Sequence, residues 1–267
     1  MKNYGHELFK GTASYYSAYR PLYPSELVRW IVNRFSLDGQ GNMLDLGCGT
    51  GQLMMRFSDW FERLVGVDSE QEMIDEALRR SEEARIDNIK WITADAESYL
   101  QNTNEIFRVV TIAKAFHWMD RKAVLDDLYN KIQLDGGVAI IDHYAPHKEP
   151  LPWQAELQKI IKLWYGEERR AGNTTYSHPQ ISHEEIVAQS RFELEVHRLP
   201  TYEQQWTIQS IIGNLYSTSY GSRRFLGDRA ASFEQELEKA LLRIDNSGIF
   251  TEEIDLSIIL AMNVSER

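Results

Sequence analysis

Three glycines at alternate positions, Gly47, Gly49 and Gly51, follow directly on the apolar stretch Asn42-Met43-Leu44-Asp45-Leu46. That spacing lets a chain leaving a buried strand turn sharply, and it lets a ligand approach the backbone without meeting a Cβ atom. A helical pattern opens at Gln52, with Leu53, Phe57, Trp60 and Phe61 on one side, so the turn would run into the unpaired N–H groups of a helix start. Downstream, Asp68 closes the apolar run Arg63-Leu64-Val65-Gly66-Val67. A carboxylate at the end of such a strand could accept both hydroxyl hydrogens of a ribose. His117 follows a further apolar run, Phe107 to Ala113, and an imidazole titrating near neutrality could take a proton from a hydroxyl. These residues suit a nucleoside ligand. A dinucleotide fingerprint, G-x-G-x-x-G, would need glycine at position 52, where Gln52 stands; the third glycine comes one residue early.

The run Leu44-Asp45-Leu46-Gly47-Cys48-Gly49-Thr50-Gly51 resembles the first motif of class I S-adenosylmethionine (SAM) dependent methyltransferases. Two further segments are similar to one small-molecule subgroup of that class, the methyltransferase type 11 and trans-aconitate methyltransferase-like enzymes. They are Tyr19-Arg20-Pro21-Leu22-Tyr23-Pro24, against Y-R-P-x-Y-P, and Ala113-Lys114-Ala115-Phe116-His117-Trp118, against A-x-A-F-H-W. The resemblance covers most of residues 15–142 and only weakly the remainder. It implies SAM as cofactor and S-adenosylhomocysteine (SAH) as product. Asp45, Gly47, Cys48, Gly49 and Gly51 would then flank the cofactor, Asp68 with its neighbour Ser69 would hold the ribose, and Tyr19 and Arg20 would meet the methionine carboxylate. Asp95 would accept from the adenine amine and Ala96 would present its N–H to the adenine edge. Met73 suits the adenine or the core equally, Ala113 and Trp118 wall the cofactor or the core, and His117 is a candidate base or a structural imidazole. The subgroup usually has proline where Asp135 stands, a departure confined to a turn.

The elements that must position these residues follow from periodicity. A helix is expected from Pro24 to about Phe35, with Leu27, Val28, Ile31, Val32 and Phe35 on one face. Ser69 to Glu72 has the S-x-x-E pattern of a capping box, before a helix whose inner face would be Met73, Ile74, Ala77 and Leu78. Strands are expected at Asn88–Thr93 and Val138–Asp142, with a helix over Asp120–Leu134 and a turn at Leu134–Gly137 between them. Repeated strand–loop–helix units imply a parallel sheet with helices on both faces. The expected fold is therefore α/β: a Rossmann-like, doubly wound, seven-stranded sheet, mostly parallel, with an antiparallel last strand at Ile254–Ala261 as the family fold would add, plus a helical cap insertion. The whole reads as a single methyltransferase domain, with an N-terminal arm at 1–24, a SAM-binding core at 25–143, a cap at about 144–190 containing a helix around Trp153–Tyr165, and 191–267 completing the sheet. That last part would hold a strand at Phe192–His197 and helices at Trp206–Tyr220 and Ala230–Ile244.

Composition narrows the partners. A formal net charge of −11 over 267 residues disfavours wrapping nucleic acid. There is one cysteine, Cys48, so no internal disulfide can form. No apolar run approaches a membrane span and the first ten residues lack the apolar core of a signal peptide, so a cytoplasmic enzyme acting without nucleic acid or membrane is expected. His143, His178 and His183 are single histidines without ligand spacing, and no metal is expected. Arg169-Arg170 or Arg223-Arg224 could anchor a carboxylate substrate, and Tyr216 and Tyr220 could line its pocket. The implied reaction is in-line displacement of the SAM methyl by a small-molecule acceptor, with a carboxylate or hydroxyl oxygen favoured. An N-methyltransferase, a macromolecular methyltransferase, a SAM-binding regulatory module and an NAD-dependent oxidoreductase are the alternatives.

Overall fold

Seven strands form one sheet in the order β3-β2-β1-β4-β5-β11-β8. In the computed structural model, which describes residues 7–142, 148–172, 174–176 and 179–264, the strands in chain order are β1 (Asn42–Leu46), β2 (Arg63–Asp68), β3 (Ile89–Thr93), β4 (Phe107–Ala113), β5 (Ile132–Asp142), β6 (Arg170–Ala171), β7 (Thr174–Thr175), β8 (Glu193–Arg198), β9 (Tyr202–Thr207), β10 (Ile249–Ile254) and β11 (Ser257–Met262). The helices are α1 (Ala13–Tyr19), α2 (Ser25–Arg34), α3 (Gln71–Glu83), α4 (Ala96–Asn102), α5 (Arg121–Tyr129), α6 (Pro152–Tyr165), α7 (His183–Ala188), α8 (Ile208–Tyr216) and α9 (Ala230–Ile244). β1 to β5 pair in parallel, and β11 runs antiparallel to both β5 and β8. The expected mostly parallel sheet with an antiparallel final strand is the one observed.

Contacts divide the chain into two units. The sheet unit comprises Leu22–His143, His178–Pro200 and Asp255–Arg267. Its strands alternate their side chains between two faces. Leu44, Leu46, Val65, Val67, Val110 and Ile112 pack with Leu100 of α4, Val124, Leu125 and Leu128 of α5 and Val187 of α7. The opposite face carries Asp45, Gly66, Thr111 and Gly137; a Cβ on Gly137 would touch Phe35, which ends α2, at 3.3 Å. The helical unit comprises Met1–Pro21, Tyr144–Ser177 and Thr201–Ile254. Its core gathers Trp153 and Ile160 of α6, Ile211, Leu215 and Tyr216 of α8, and Phe233, Leu237 and Leu241 of α9.

Several elements depart from the sequence reading. After the glycine turn the chain forms a 3-10 helix, Met54–Trp60, in place of the expected α-helix, burying Met54 and Phe57 while Trp60 stays exposed. α3 begins two residues beyond Ser69, and its N-cap is Glu70, so the capping box does not form; Leu78, expected inside, is 47% exposed. α5 stops at Tyr129, and Leu134 lies on β5, which starts at Ile132 and bulges where Phe107 pairs with Ile132 but Val109 pairs with Gly137. Asp135 takes φ 62° in that bulge. Trp206, expected on a helix, lies on β9, which pairs antiparallel with β10 in a two-stranded sheet that periodicity did not signal. His143 and His178 lie outside the described residues.

Candidate active site

Parallel pairing puts the carboxyl ends of β1 to β5 on one edge of the sheet. The chain leaves β1 toward β2 and β3, then returns to β4 on β1's other side, which makes the β1–β4 boundary a switch point, the place where open α/β sheets bind ligands. The glycine turn stands there. Gly47, Gly49 and Gly51 all take positive φ, at 70°, 52° and 71°. Two of them are also tightly enclosed: a Cβ on Gly47 would lie 2.4 Å from the Ala115 Cβ, and one on Gly51 would lie 2.4 Å from the Trp91 ring. Trp91 reaches across from β3, covers Gly66 of β2 as well, and is fixed by its Nε1–H donating to Ser81 Oγ at 3.1 Å. Arg80 braces the turn from α3, donating to the Thr50 carbonyl at 3.0 Å and to its Oγ1 at 3.2 Å. Trp91, Ser81 and Arg80 are site-building residues that spacing along the sequence did not reveal.

Asp68 ties the turn to the end of β2. Its Oδ2 accepts from Gly49 N–H at 2.8 Å and its Oδ1 from Glu70 N–H at 2.9 Å. Burial pushes its carboxyl above the usual carboxylate range, and N–H donation from Glu70, Gly49 and Ser69 opposes that rise. A carboxylate has about four acceptor positions, so each oxygen keeps capacity for a ribose hydroxyl. Ser69 is exposed beside it. Asp95 is the N-cap of α4, accepting from Ser98 N–H at 2.7 Å, and Ala96 opens that helix. Glu97 accepts from Asp120 N–H at 2.7 Å, linking the start of α4 to that of α5. Met73 is 2% exposed and packs as core.

Asp45 is buried at 2% exposure and its Oδ1 accepts from Thr111 Oγ1 at 2.7 Å. Desolvation raises its pKa from 3.8 to about 7; the Thr111 hydrogen bond pulls the other way and the Asp68 charge adds to the rise. Between those two values the native state holds a proton that the unfolded chain has lost, so stability falls as pH rises from about 4 to 7 and stays low above. Asp45→Asn should remove that decline, leaving the variant about 2–4 kcal/mol more stable than the wild type at pH 8 and little changed at pH 4. Urea unfolding at the two pH values, without nucleoside, checks this; equal wild-type stability at both would refute it. Cys48 is buried with its thiol pKa raised well above 9.0 by desolvation and the neighbouring carboxylates, which makes it a packing residue without nucleophilic character.

At the end of β4, Ala113 passes into Lys114, a non-glycine residue at φ 54°. That conformation costs free energy and is concentrated where strand ends carry function. The 3-10 turn Phe116–Trp118 follows, with the His117 and Trp118 rings 4.7 Å apart. Asp142, at the end of β5, and His183, opening α7, approach His117: a ring nitrogen from each histidine and a carboxylate oxygen of Asp142 lie within 4.8 Å of one another. The sequence offered no reason to bring His183 here.

Tyr19 and Arg20 belong to the helical unit. The Tyr19 ring lies against Gly213, and its Oη accepts from Gln209 Nε2 at 3.2 Å. Arg20 Nη2 donates to the Ser217 carbonyl at 3.4 Å, and its guanidinium lies 5.1 Å from the Tyr16 ring centroid. Tyr216 is a core residue there, its hydroxyl donating to Glu234 at 2.8 Å. Arg169 lies over the Tyr220 ring, while Arg170 and Arg224 both lie over Phe225.

A glycine turn after an acid-bearing strand, at the switch point of a sheet with this order, is the arrangement of the class I methyltransferase fold. Residues 43–136 match the family described as a methyltransferase domain. The chain is 27% identical over 141 residues to the probable SAM-dependent methyltransferase CRG1 of Saccharomyces cerevisiae, across 52% of this chain and 48% of that protein. It is 30% identical over 105 residues to the methyltransferase YcgJ of Bacillus subtilis, across 39% of this chain and 41% of that one. The chain thus spans about half the length of the curated relatives it matches. The fold is shared with the crystal structure of YcgJ (TM-score 0.58, 17% identity, 91% of this chain and 100% of that one). It is shared also with phosphoethanolamine N-methyltransferase 2 of Haemonchus contortus, solved with SAM (TM-score 0.57, 16% identity, 99% of this chain and 61% of that one). No described helix is long and apolar enough to cross a membrane.

Proposed function

We propose that the chain binds SAM at the carboxyl edge of its sheet and passes the methyl group to a small-molecule acceptor, with oxygen as the accepting atom. The observation that carries this reading is the tie between Gly49 and Asp68 at 2.8 Å, which joins the glycine turn and the acid at the end of β2 as one unit, as a turn bordering a cofactor and an acid holding its ribose would require. Gly47, Gly49 and Gly51 with Cys48 would border the cofactor, Asp68 and Ser69 would hold the ribose, Asp95 and Ala96 would meet the adenine edge, and Asp45 would brace the turn from below. Ala113 and Trp118 would flank the reacting end. The cofactor supplies a methyl already activated by a sulfonium, so the protein's task is alignment and exclusion of water. His117 would take the proton of a hydroxyl acceptor, a step that a carboxylate acceptor does not need.

Calorimetry with SAM, SAH and NAD tests the cofactor. SAH should bind and NAD should not; the reverse result would move the chain to a hydride-transfer reading. A labelled-methyl assay across carboxylic acids, phenols and amines then identifies the acceptor. His117→Ala should lower turnover of a hydroxyl acceptor by about 10²–10⁴-fold and leave a carboxylic acid nearly unaffected. Unaltered turnover of a hydroxyl substrate would remove His117 as base.

A further inference from the structure

The cluster around His117 contains more than a single imidazole. Arg121, the first residue of α5, directs Nη1 at the start of α7: it donates to the Ile181 carbonyl at 2.8 Å and stands 3.2 Å from His183 Nδ1. A guanidinium has no acceptor and keeps its protons. Nη1 also reaches the Ser182 carbonyl at 3.4 Å; facing a group that can only donate, His183 Nδ1 is satisfied as an acceptor, which places the ring proton of neutral His183 on Nε2. That nitrogen lies 3.4 Å from Asp142 Oδ2, with side-chain exposures of 12% and 18%. The Phe116 ring, 5.2 Å from the His183 ring, packs alongside it. Asp142 is anchored on its other side by β11, where Ser257 Oγ donates to its backbone carbonyl at 3.2 Å. That contact fixes the main chain at Asp142; its carboxylate faces His183 Nε2, and a nitrogen of His117 lies within 4.8 Å. That separation allows direct Coulombic coupling, or one bridging water.

We infer that Asp142 and His183 are positioning residues for His117: Arg121 sets the tautomer of His183, His183 orients Asp142, and Asp142 holds the His117 imidazole in one orientation and favours its protonated form. The inference rests on the reading of His117 as the base that serves a hydroxyl acceptor. As the oxygen–methyl bond forms and the carbon–sulfur bond breaks, the electron pair of the broken bond stays on sulfur. The hydroxyl proton passes to His117, where Asp142 stabilises the new imidazolium. An acid–imidazole pair of this kind has no use when the acceptor arrives as a carboxylate. Two histidines and a carboxylate could also hold a divalent cation. The Arg121 contact argues against it, because a metal at Nε2 would need the proton moved to Nδ1, toward a group that can only donate.

Among the described residues, the charged and titratable groups grouped with His117 are Asp142 from β5 and His183 from α7, with Arg121 of α5 against His183. On the His117 segment itself stand Lys114, whose Nζ lies 5.9 Å from the Tyr23 ring centroid, and Asp120, which caps α5 through Ala123 N–H.

The test is a nitrogen-15 NMR titration of the histidine rings in the full chain, without SAM or acceptor. In the wild type, neutral His183 should show the Nε2–H tautomer, and Arg121→Met should convert it to a mixture. In Asp142→Asn the His117 midpoint should fall by about one pH unit, and Asp142→Glu should restore part of that shift. A wild-type His183 carrying its proton on Nδ1, a His117 midpoint indifferent to Asp142→Asn, or stoichiometric zinc binding that displaces both ring signals would each overturn the inference. SAH calorimetry on the same samples separates the two readings: lost SAH binding with the His117 coupling intact would refute the cofactor and leave the coupling standing.

Discussion

Gly47→Ala should abolish SAH binding and lower stability by about 2–5 kcal/mol, the sum of a left-handed backbone imposed on alanine and an overpacked contact. Gly47 has φ 70°, and the added methyl would lie 2.4 Å from the Ala115 Cβ. Ala115 cannot withdraw alone. It is buried, it precedes the 3-10 turn that carries His117, and Trp118 N–H donates to its carbonyl at 2.9 Å. The variant must therefore shift either the glycine turn or the His117 segment, and both border the proposed cofactor site. Gly39→Ala is the internal control. Gly39 has φ 88°, but its nearest neighbour would be the Asp59 carbonyl at 3.7 Å, so it bears the backbone strain without the collision. It should lose about 1 kcal/mol and bind SAH normally. Urea unfolding and calorimetry on both variants decide. Wild-type SAH affinity in Gly47→Ala would mean that the turn does not border the cofactor.

What the sequence made legible depended on how local the physics was. β2, β4 and α9 begin and end where their apolar period placed them, because alternation at Leu64, Val65 and Val67 or the stripe Phe233, Leu237, Leu241 is a property of adjacent residues. Asp68 and the glycine turn were legible for the same reason, as each is a short word on one strand exit. The β9–β10 pair was not, since its strands are polar and their pairing joins segments separated by α8 and α9. The 3-10 helix after the turn is ambiguous in sequence: Met54 and Phe57 are spaced at three, Leu53 and Phe57 at four, and packing chose the tighter winding. The role of Trp91 is visible only once β3 lies beside β2 and the indole covers Gly66 and Gly51. His183 was invisible because nothing local distinguishes it. It reaches His117 through the packing of α7 against β8, β11 and α5.

The second large effect belongs to Asp68, and the three replacements that test it differ for a stated reason. Asp68→Ala removes the acceptor of Gly49 N–H and of Glu70 N–H together with the proposed ribose partner. SAH affinity should fall on the order of 100-fold or more, about 3 kcal/mol for charge-assisted hydrogen bonds lost on both counts. Asp68→Asn is nearly isosteric yet should also fail. An amide presents one oxygen and one NH2, so either Gly49 N–H or Glu70 N–H would face a donor, and the turn would lose one of its two ties. Asp68→Glu keeps both oxygens but adds a methylene, and should lie between wild type and alanine. Because burial raises the Asp68 carboxyl, wild-type SAH affinity should decline as the pH is lowered through its titration, when protonation removes an acceptor, while the Asp68→Asn variant should show no such dependence. This contrasts with Asp45, whose carboxyl accepts from Thr111 Oγ1 and where asparagine should be tolerated. If Asp68→Asn bound SAH as the wild type does, two-oxygen acceptance at this strand end would be irrelevant to the cofactor, and the ribose assignment would have to move to another residue.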